Sequence, residues 1–488
     1  MFRINERKYQ SMLNFKPFSI KSLQKILPYI REGVSCSDLS AGALFMWQDG
    51  SVYFCERNGT LVIRQNRGEQ PAFSYPVGKD HDGMIDELIE YVKENSLPLR
   101  FFAVDDETLE KIKSDERLKT SMWACDRRWS DYVYSFEEAK TFHGRKYDGQ
   151  RNHINRFKKL FGEPDIRFLT SDDISAVSEM LDEYEAEHTD ANALERIELE
   201  STKKLLSVYE SLGMYAAGLF VGGNLAAFGI GEISGETFFI HVEKALKRYV
   251  GAYPTMYSGF VRLIDAVAER PLMFVNREDD SGDPGIRTSK LQYHPIRQID
   301  KYLVHVGSPA CKIKEIPEIK QNGVVLTPFR ETDKKAYLDL NTDVVNNRYW
   351  GYDYREDVGI TGNIDEDTFY DFTTFDMHAG DSINFAVRLT SDGEMIGEAI
   401  LWNFNSDGEV ELGCRIMPKY HGNGYGKAAF RAAADFAENA LNLKVYARCV
   451  PENVASQKMI EAGGFEPWYN GENHKYFRRS SQIFASKK

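Results

Sequence analysis

The chain has 488 residues and a formal net charge of −13, with 42% hydrophobic and 13% aromatic residues. That length exceeds what one core serves, and ordinary domain sizes give about three domains. The acidic balance argues against a dedicated nucleic-acid-coating protein, although local patches can still be basic.

In chain order, Met1–Arg7 has no apolar core behind it, so no signal peptide is expected. Cysteines stand at 36, 55, 125, 311, 414 and 449 without a Cys-x-x-Cys pair. Neither a disulfide framework nor a zinc site is indicated, no metal ligands are assigned, and the expected setting is a reducing cytoplasm. The small and polar stretch 140–150 and Val306-Gly307-Ser308-Pro309-Ala310 read as boundaries. They predict units over 1–140, 141–306 and 316–488.

Residues 145–159 hold six Lys/Arg and one acid, Asp148. Ile154, Phe157 and Phe161 share one helical face, so the basic residues, Arg151 and Arg156 among them, take the other. This is either a solvated face or a clamp for a phosphate-bearing donor, CoA or the acceptor end of an aminoacyl-tRNA. Gly213 to Gly231 carries no charge and is nearly long enough to span a membrane. Gly222-Gly223-Asn224 divides it into two short runs, which predicts a β-hairpin and no membrane span.

A strand over Thr237–Ala245 follows, then a loop with Gly251, a helix from Met256 to Ala268, a strand Leu272–Asn276 and a helix near Ile286–Gln292. The loop Lys247–Pro254 lacks Gly-x-Gly, so a CoA pyrophosphate would lack an amide cradle there. His241 and Glu243 share a strand face and read as a base with its orienter or as a structural pair. Asn276-Arg277-Glu278-Asp279-Asp280 is a dense polar cluster after a strand, where α/β folds gather ligands.

Near the C-terminus, Glu411-Leu412-Gly413-Cys414-Arg415-Ile416-Met417-Pro418 leads through His421-Gly422-Asn423-Gly424-Tyr425-Gly426-Lys427 into an alanine-rich helix. Glycines at 422, 424 and 426 let backbone N–H groups approach phosphate oxygens, and the helix directs its positive end at them. A strand Leu443–Val450 and a short helix from Asn453, ended by glycine, come next. The succession repeats that of the middle segment, which predicts an internal fold repeat without sequence identity.

His421, Gly424 and Gly426 resemble the acetyl-CoA loop of the GNAT N-acetyltransferases, with His in the Arg/Gln place. Asn453, Met459, Gly464 and Phe465 resemble the last motif of that family. Ser456 stands at that motif's alanine position, as in the branch that acetylates ribosomal-protein N-termini, which Leu326–Asp333 also resembles. Ile460 replaces the tyrosine that in many members protonates the departing thiolate. The resemblance implies acetyl-CoA as cosubstrate, bound by Cys414, Ile416, Met417, His421, Gly422, Asn423, Gly424, Tyr425, Gly426, Lys427 and Asn453. An amine nucleophile has a pKa near ~10 and must lose a proton before attack. Glu411 is the candidate base or, alternatively, a solvated strand residue, and Ser456 is grouped with it as catalytic. Residues 341–376, with Tyr349-Trp350-Gly351-Tyr352-Asp353-Tyr354, are expected to wall the acceptor pocket or to be ordinary core.

About residues 1–306 resemble the C-terminal catalytic region of phosphatidylglycerol lysyltransferases, itself two acetyltransferase-like halves. The likeness lies in Arg151-Asn152-His153-Ile154-Asn155-Arg156-Phe157, His241–Ala245 and Asn276–Asp283. Arg151, Asn152, His153, Arg156, His241, Glu243 and Asn276 therefore form a second candidate site. The implied fold is α/β (α+β), three acyl-CoA N-acyltransferase-like units with mixed central sheets flanked by helices. The implied activity is acetyl transfer from acetyl-CoA to a small-molecule or peptide amine. The alternatives are an aminoacyl-tRNA-dependent aminoacyltransferase in the N-terminal module, or a non-catalytic substrate-binding platform there.

Overall fold

The computed structural model describes residues 13–47, 51–67, 69–189, 191–351, 353–356 and 364–479. Met1–Arg7, and Tyr352 and 357–363 of the expected acceptor wall, lie outside the described residues. Three mixed sheets flanked by helices build the protein.

Each sheet contains one parallel pair joined by a crossover helix. In the third sheet Glu409–Ile416 and Lys444–Cys449 are the pair, and Tyr425–Asn439 is the crossover. In the second, Thr237–Ala245 and Phe274–Asn276 are joined through Ala252–Val267. In the first, Gln70–Phe73 and Leu99–Val104 are joined through His81–Glu94. The expected hairpin forms from Tyr215–Val221 and Asn224–Ser234, and among the described residues no helix is long and apolar enough to cross a membrane.

The two N-terminal sheets exchange strands. Asp131–Ser135 lies in the second sheet beside Phe274–Asn276, whereas Tyr302–Val306 returns to the first sheet beside Leu99–Val104. The sheets therefore do not divide at residue 140, and the two halves are interlocked. One apolar core, with Leu23, Ile26, Phe102, Leu181, Phe228 and Val242 among its members, runs through both. Hydrophobic periodicity marks each strand locally but carries no information on which sheet receives it.

The expected linker is anchored. Gly307 N–H donates to the Thr120 carbonyl at 2.7 Å and the Ser308 hydroxyl to the Gly380 carbonyl at 2.6 Å. Arg100 pairs with Asp381 at 2.7 Å and His305 with the same carboxylate at 2.9 Å. These contacts seat the third unit against the first sheet. Within it, Ala428, Ala429, Ala432, Ala433, Ala434 and Ala437 are buried, so the crossover helix lies close on its sheet. Phe430 is fully buried with its ring 5.1 Å from that of Phe465, which contributes about 2–3 kcal/mol.

Candidate active site

Glu409–Ile416 pairs with its parallel neighbour only from Glu409 to Glu411, opposite Lys444 to Tyr446, and then the two strands part. On its other edge it pairs from Glu411 to Ile416 with Trp402 to Gly397. Met417 N–H donates to the Ile396 carbonyl at 2.8 Å. Antiparallel alternation then turns the amides of Cys414 and Ile416 the opposite way, to the open edge. Met417 was expected to contribute an amide to that edge; its register spends the amide on the neighbouring strand instead.

The glycine loop follows. Its conformation is set by His421, whose Nε2 lies 2.7 Å from the Ile416 carbonyl, and by Asn423, whose side-chain amide donates to the Tyr420 and His421 carbonyls at 3.2 Å. Gly424, at φ 79° and ψ 3°, is the residue before the crossover helix. An ideal Cβ on Gly422 or Gly424 would meet no atom within 4 Å, whereas one on Gly426 would lie 3.0 Å from Met459 Sδ. The first-turn amides of Tyr425, Gly426 and Lys427 have no intrahelical acceptor by helix geometry. The loop is an open cradle lined by N–H groups, which suits an anion. Asn453 caps the next helix by accepting from the Ser456 amide at 3.0 Å, and the Ser456 hydroxyl faces the Cys449 thiol.

Glu411 sits where the strands part and is 4% exposed. Arg448 Nε donates to it at 2.9 Å and the Asn403 side-chain amide at 2.9 Å, with the Tyr446 hydroxyl at 3.4 Å. Burial raises its pKa above the usual carboxylate range, against the opposing pull of Arg448 and Asn403. Two residues on, Trp350 and Trp402 cover Gly413, with their rings 5.7 Å apart. Trp350, from the segment read as acceptor wall or ordinary core, is thus packed on the strand of Glu411. Beyond it, Arg415 is buried on Glu398 at 2.7 Å and Asn341 at 2.8 Å, with Trp350 stacked 4.7 Å away.

Sequence reasoning missed Arg448, Asn403 and Arg415. Arg448 carried a usable signal, since it lies two residues beyond Tyr446, the strand partner of Glu411.

The second candidate site divides. A cavity of about 730 Å³ between the two N-terminal halves is lined by His241, Glu243, Lys244, Arg277, Glu278 and Lys301, among others. Arg151, Asn152, His153 and Arg156 are not among its lining residues. Their helix, Asp148–Phe161, packs on the start of the crossover helix, and a Cβ on Gly251 would lie 2.3 Å from the His153 carbonyl. The place of a phosphate cradle in the second unit is therefore filled by protein. Arg151 donates to the Gly144 carbonyl at 2.7 Å and to the Phe142 carbonyl, and pairs with Asp148. Arg151→Ala is expected to lower stability by about 1–2 kcal/mol in denaturant titration, because those carbonyls lose a charged donor.

His241 and Glu243 do not pair with each other. Ile230 faces Val242 and Gly231 faces Ile240, so His241 is the extra residue of a β-bulge. Its ring is held between Glu278 at 2.7 Å and Glu232 at 2.9 Å, while Glu243 receives Arg277 at 2.7 Å. Burial disfavours the imidazolium, yet the two carboxylates prevail and push its pKa up to about 10. A ring protonated at neutral pH is not a general base, so that reading is corrected to a buried ion triad. Its folded pKa is raised above 6.5, so its stabilisation is complete below about pH 6.5 and is lost as pH rises through about 10. His241→Ala should destabilise the protein by about 3–5 kcal/mol, read by denaturant titration just below about pH 6.5, because two buried carboxylates lose their shared cation. Asn276 is fully buried and donates to Asp131 at 2.9 Å. Asp279 and Asp280 of the same cluster are engaged by Lys301 at 3.1 Å and by Arg127 at 2.9 Å.

The family models that match the chain are those of acyltransferases. Residues 33–305 match the family model described as phosphatidylglycerol lysyltransferase, C-terminal, and residues 324–466 match the acetyltransferase (GNAT) domain. The first match covers more than half of the chain, which belongs to that lysyltransferase C-terminal family and carries a GNAT domain after it. Among solved structures, a conserved protein of unknown function from Bacteroides thetaiotaomicron VPI-5482 is similar at 28% identity, over 60% of this chain and 100% of that one, with a TM-score of 0.56. L-PGS from Bacillus licheniformis matches at 15% identity over 60% of this chain and 93% of that one, TM-score 0.45. Spermidine N-acetyltransferase from Vibrio cholerae, solved with CoA and spermine, matches at 20% identity over 32% and 93%, TM-score 0.27. No curated protein matches the chain.

Proposed function

We propose that the C-terminal unit transfers an acetyl group from acetyl-CoA to a primary amine by direct attack. The observation that carries this is the open cradle. Gly422 and Gly424 have empty space where a Cβ would stand, at the start of a helix whose first amides lack internal partners. When bound, acetyl-CoA supplies an acyl group activated as a thioester. The cradle amides from Gly422 to Lys427 hold its pyrophosphate, and the amides of Cys414 and Ile416 line the strand edge along which its arm runs. Glu411, held above its usual pKa by burial, accepts the proton of the amine directly or through water. Ser456 is the hydroxyl assigned to the departing thiolate, since Ile460 has none to offer. Trp350 and Trp402 wall the acceptor side. The test is mass spectrometry of butylamine and an alanyl peptide after incubation with the full chain and acetyl-CoA, with N-acetylated product expected.

A second reading is favoured by the cavity of about 730 Å³ in the N-terminal module. In it that module performs its own acyl transfer, with an aminoacyl-tRNA as donor, and the non-catalytic platform is its limiting case. Titration of the full chain with aminoacyl-tRNA over a range of salt decides it: several phosphate contacts give steeply salt-dependent binding. The absence of such binding leaves the platform.

A further inference from the structure

The guanidinium that holds Glu411 is shared with another part of the chain. Arg448 gives its Nε to Glu411 at 2.9 Å and its Nη2 to both carboxylate oxygens of Glu69, each at 2.6 Å. Glu69 stands at the turn before Gln70–Phe73, in the first sheet, more than three hundred positions away. Asn403 repeats the bridge, donating to Glu411 at 2.9 Å and to Glu69 at 3.4 Å. The side chain of Glu69 is 58% exposed and that of Arg448 is 19% exposed.

From this geometry we infer that Glu69 is a positioning residue of the acetyl-transfer site, supplied by the N-terminal module. The inference rests on the reading of Glu411 as base. Two features separate it from ordinary docking. The interface is already anchored elsewhere, by Arg100 and His305 on Asp381 and by the Ser406 hydroxyl on the Val92 carbonyl at 3.0 Å. A half-exposed ion pair also adds little to stability. What Glu69 does control is the charge facing the base. With Glu69 present, the Arg448 guanidinium divides its attraction between two carboxylates, and the nearby negative charge opposes ionisation of Glu411. Without it, Glu411 faces that cation alone and gives up its proton more readily, which makes it a weaker base. The other groups around Glu411 are Tyr446 and Arg448 on the parallel strand, Asn403 after the neighbouring strand, and Glu409 on its own strand, itself paired with Arg478 at 2.7 Å.

The test is the pH dependence of thiol release from acetyl-CoA by the full chain, with butylamine and an alanyl peptide as amine probes. In Glu69→Gln the acid limb of kcat/KM is expected at lower pH than in the wild type, with a lower plateau and unchanged acetyl-CoA affinity. Glu69→Asp, which keeps the charge, should restore part of the shift. Ser96→Ala removes a contact with Asp407 across the same interface and serves as the structural control. An acid limb in Glu69→Gln that superimposes on the wild type, or an equal shift in Ser96→Ala, overturns the inference while leaving the acetyltransferase reading intact. An acid limb that survives in Glu411→Gln, or no thiol release with either probe, overturns the underlying reading and this inference with it.

Discussion

Glu411→Gln is expected to lower turnover by about 10²–10⁴ while acetyl-CoA affinity stays at the wild-type value. The substitution is nearly isosteric and removes a proton acceptor at the point where the two strands part, but it touches no cradle amide. Folding should survive. Gln can still accept from one of Asn403 and Arg448 through its single amide oxygen, and Arg448 retains Glu69 as its counter-ion. The wild type is expected to gain activity as pH rises through a pKa above the ordinary carboxylate range, because burial opposes ionisation of Glu411. The variant should lose that limb. Steady-state thiol release across pH, with calorimetry for the cosubstrate, checks both parts, and a loss below tenfold would place the base elsewhere.

Gly424→Val is expected to lower acetyl-CoA affinity by about 100-fold or more, which removes measurable binding. Two effects act together. At φ 79° a β-branched residue is strained, by about 1–2 kcal/mol. Its side chain also fills the space that a phosphate would take, since the ideal Cβ there meets no protein atom within 4 Å. That emptiness assigns most of the effect to the ligand rather than to a clash within the fold, so the melting temperature should change by only a few degrees while the calorimetric signal disappears. Gly424→Ala should fall between the two. Undiminished affinity in the valine variant would contradict the cradle.

What could be read in the sequence was local. Glycine at 422, 424 and 426 between a strand and an alanine-rich helix specifies loop chemistry within a few residues, and the structure has that strand, loop and helix. The uncharged Gly213–Gly231 stretch divided at its own turn residues for the same reason. Register and long-range pairing were not legible. The amide of Met417 is spent because Ile396 lies opposite, which no spacing within 411–417 reveals. His241 and Glu243 alternate on paper as strand neighbours, but one inserted residue gives them different partners. The exchange of Asp131–Ser135 and Tyr302–Val306 between sheets has no local signature, and Glu69 could join Arg448 only once both modules were folded together. Arg151 and its neighbours show the opposite hazard, a run of cations whose leading member is occupied by helix-end carbonyls.

The central claim is that the C-terminal unit, seated on its N-terminal module, moves an acetyl group from acetyl-CoA to an amine. Thiol release by the full chain, followed with acetyl-CoA and with or without a primary amine, tests it most directly. Release that depends on the amine, saturates with acetyl-CoA and is lost in Gly424→Val is the expected result. Acetyl-CoA that neither binds nor yields thiol in the presence of butylamine or an alanyl peptide would contradict it.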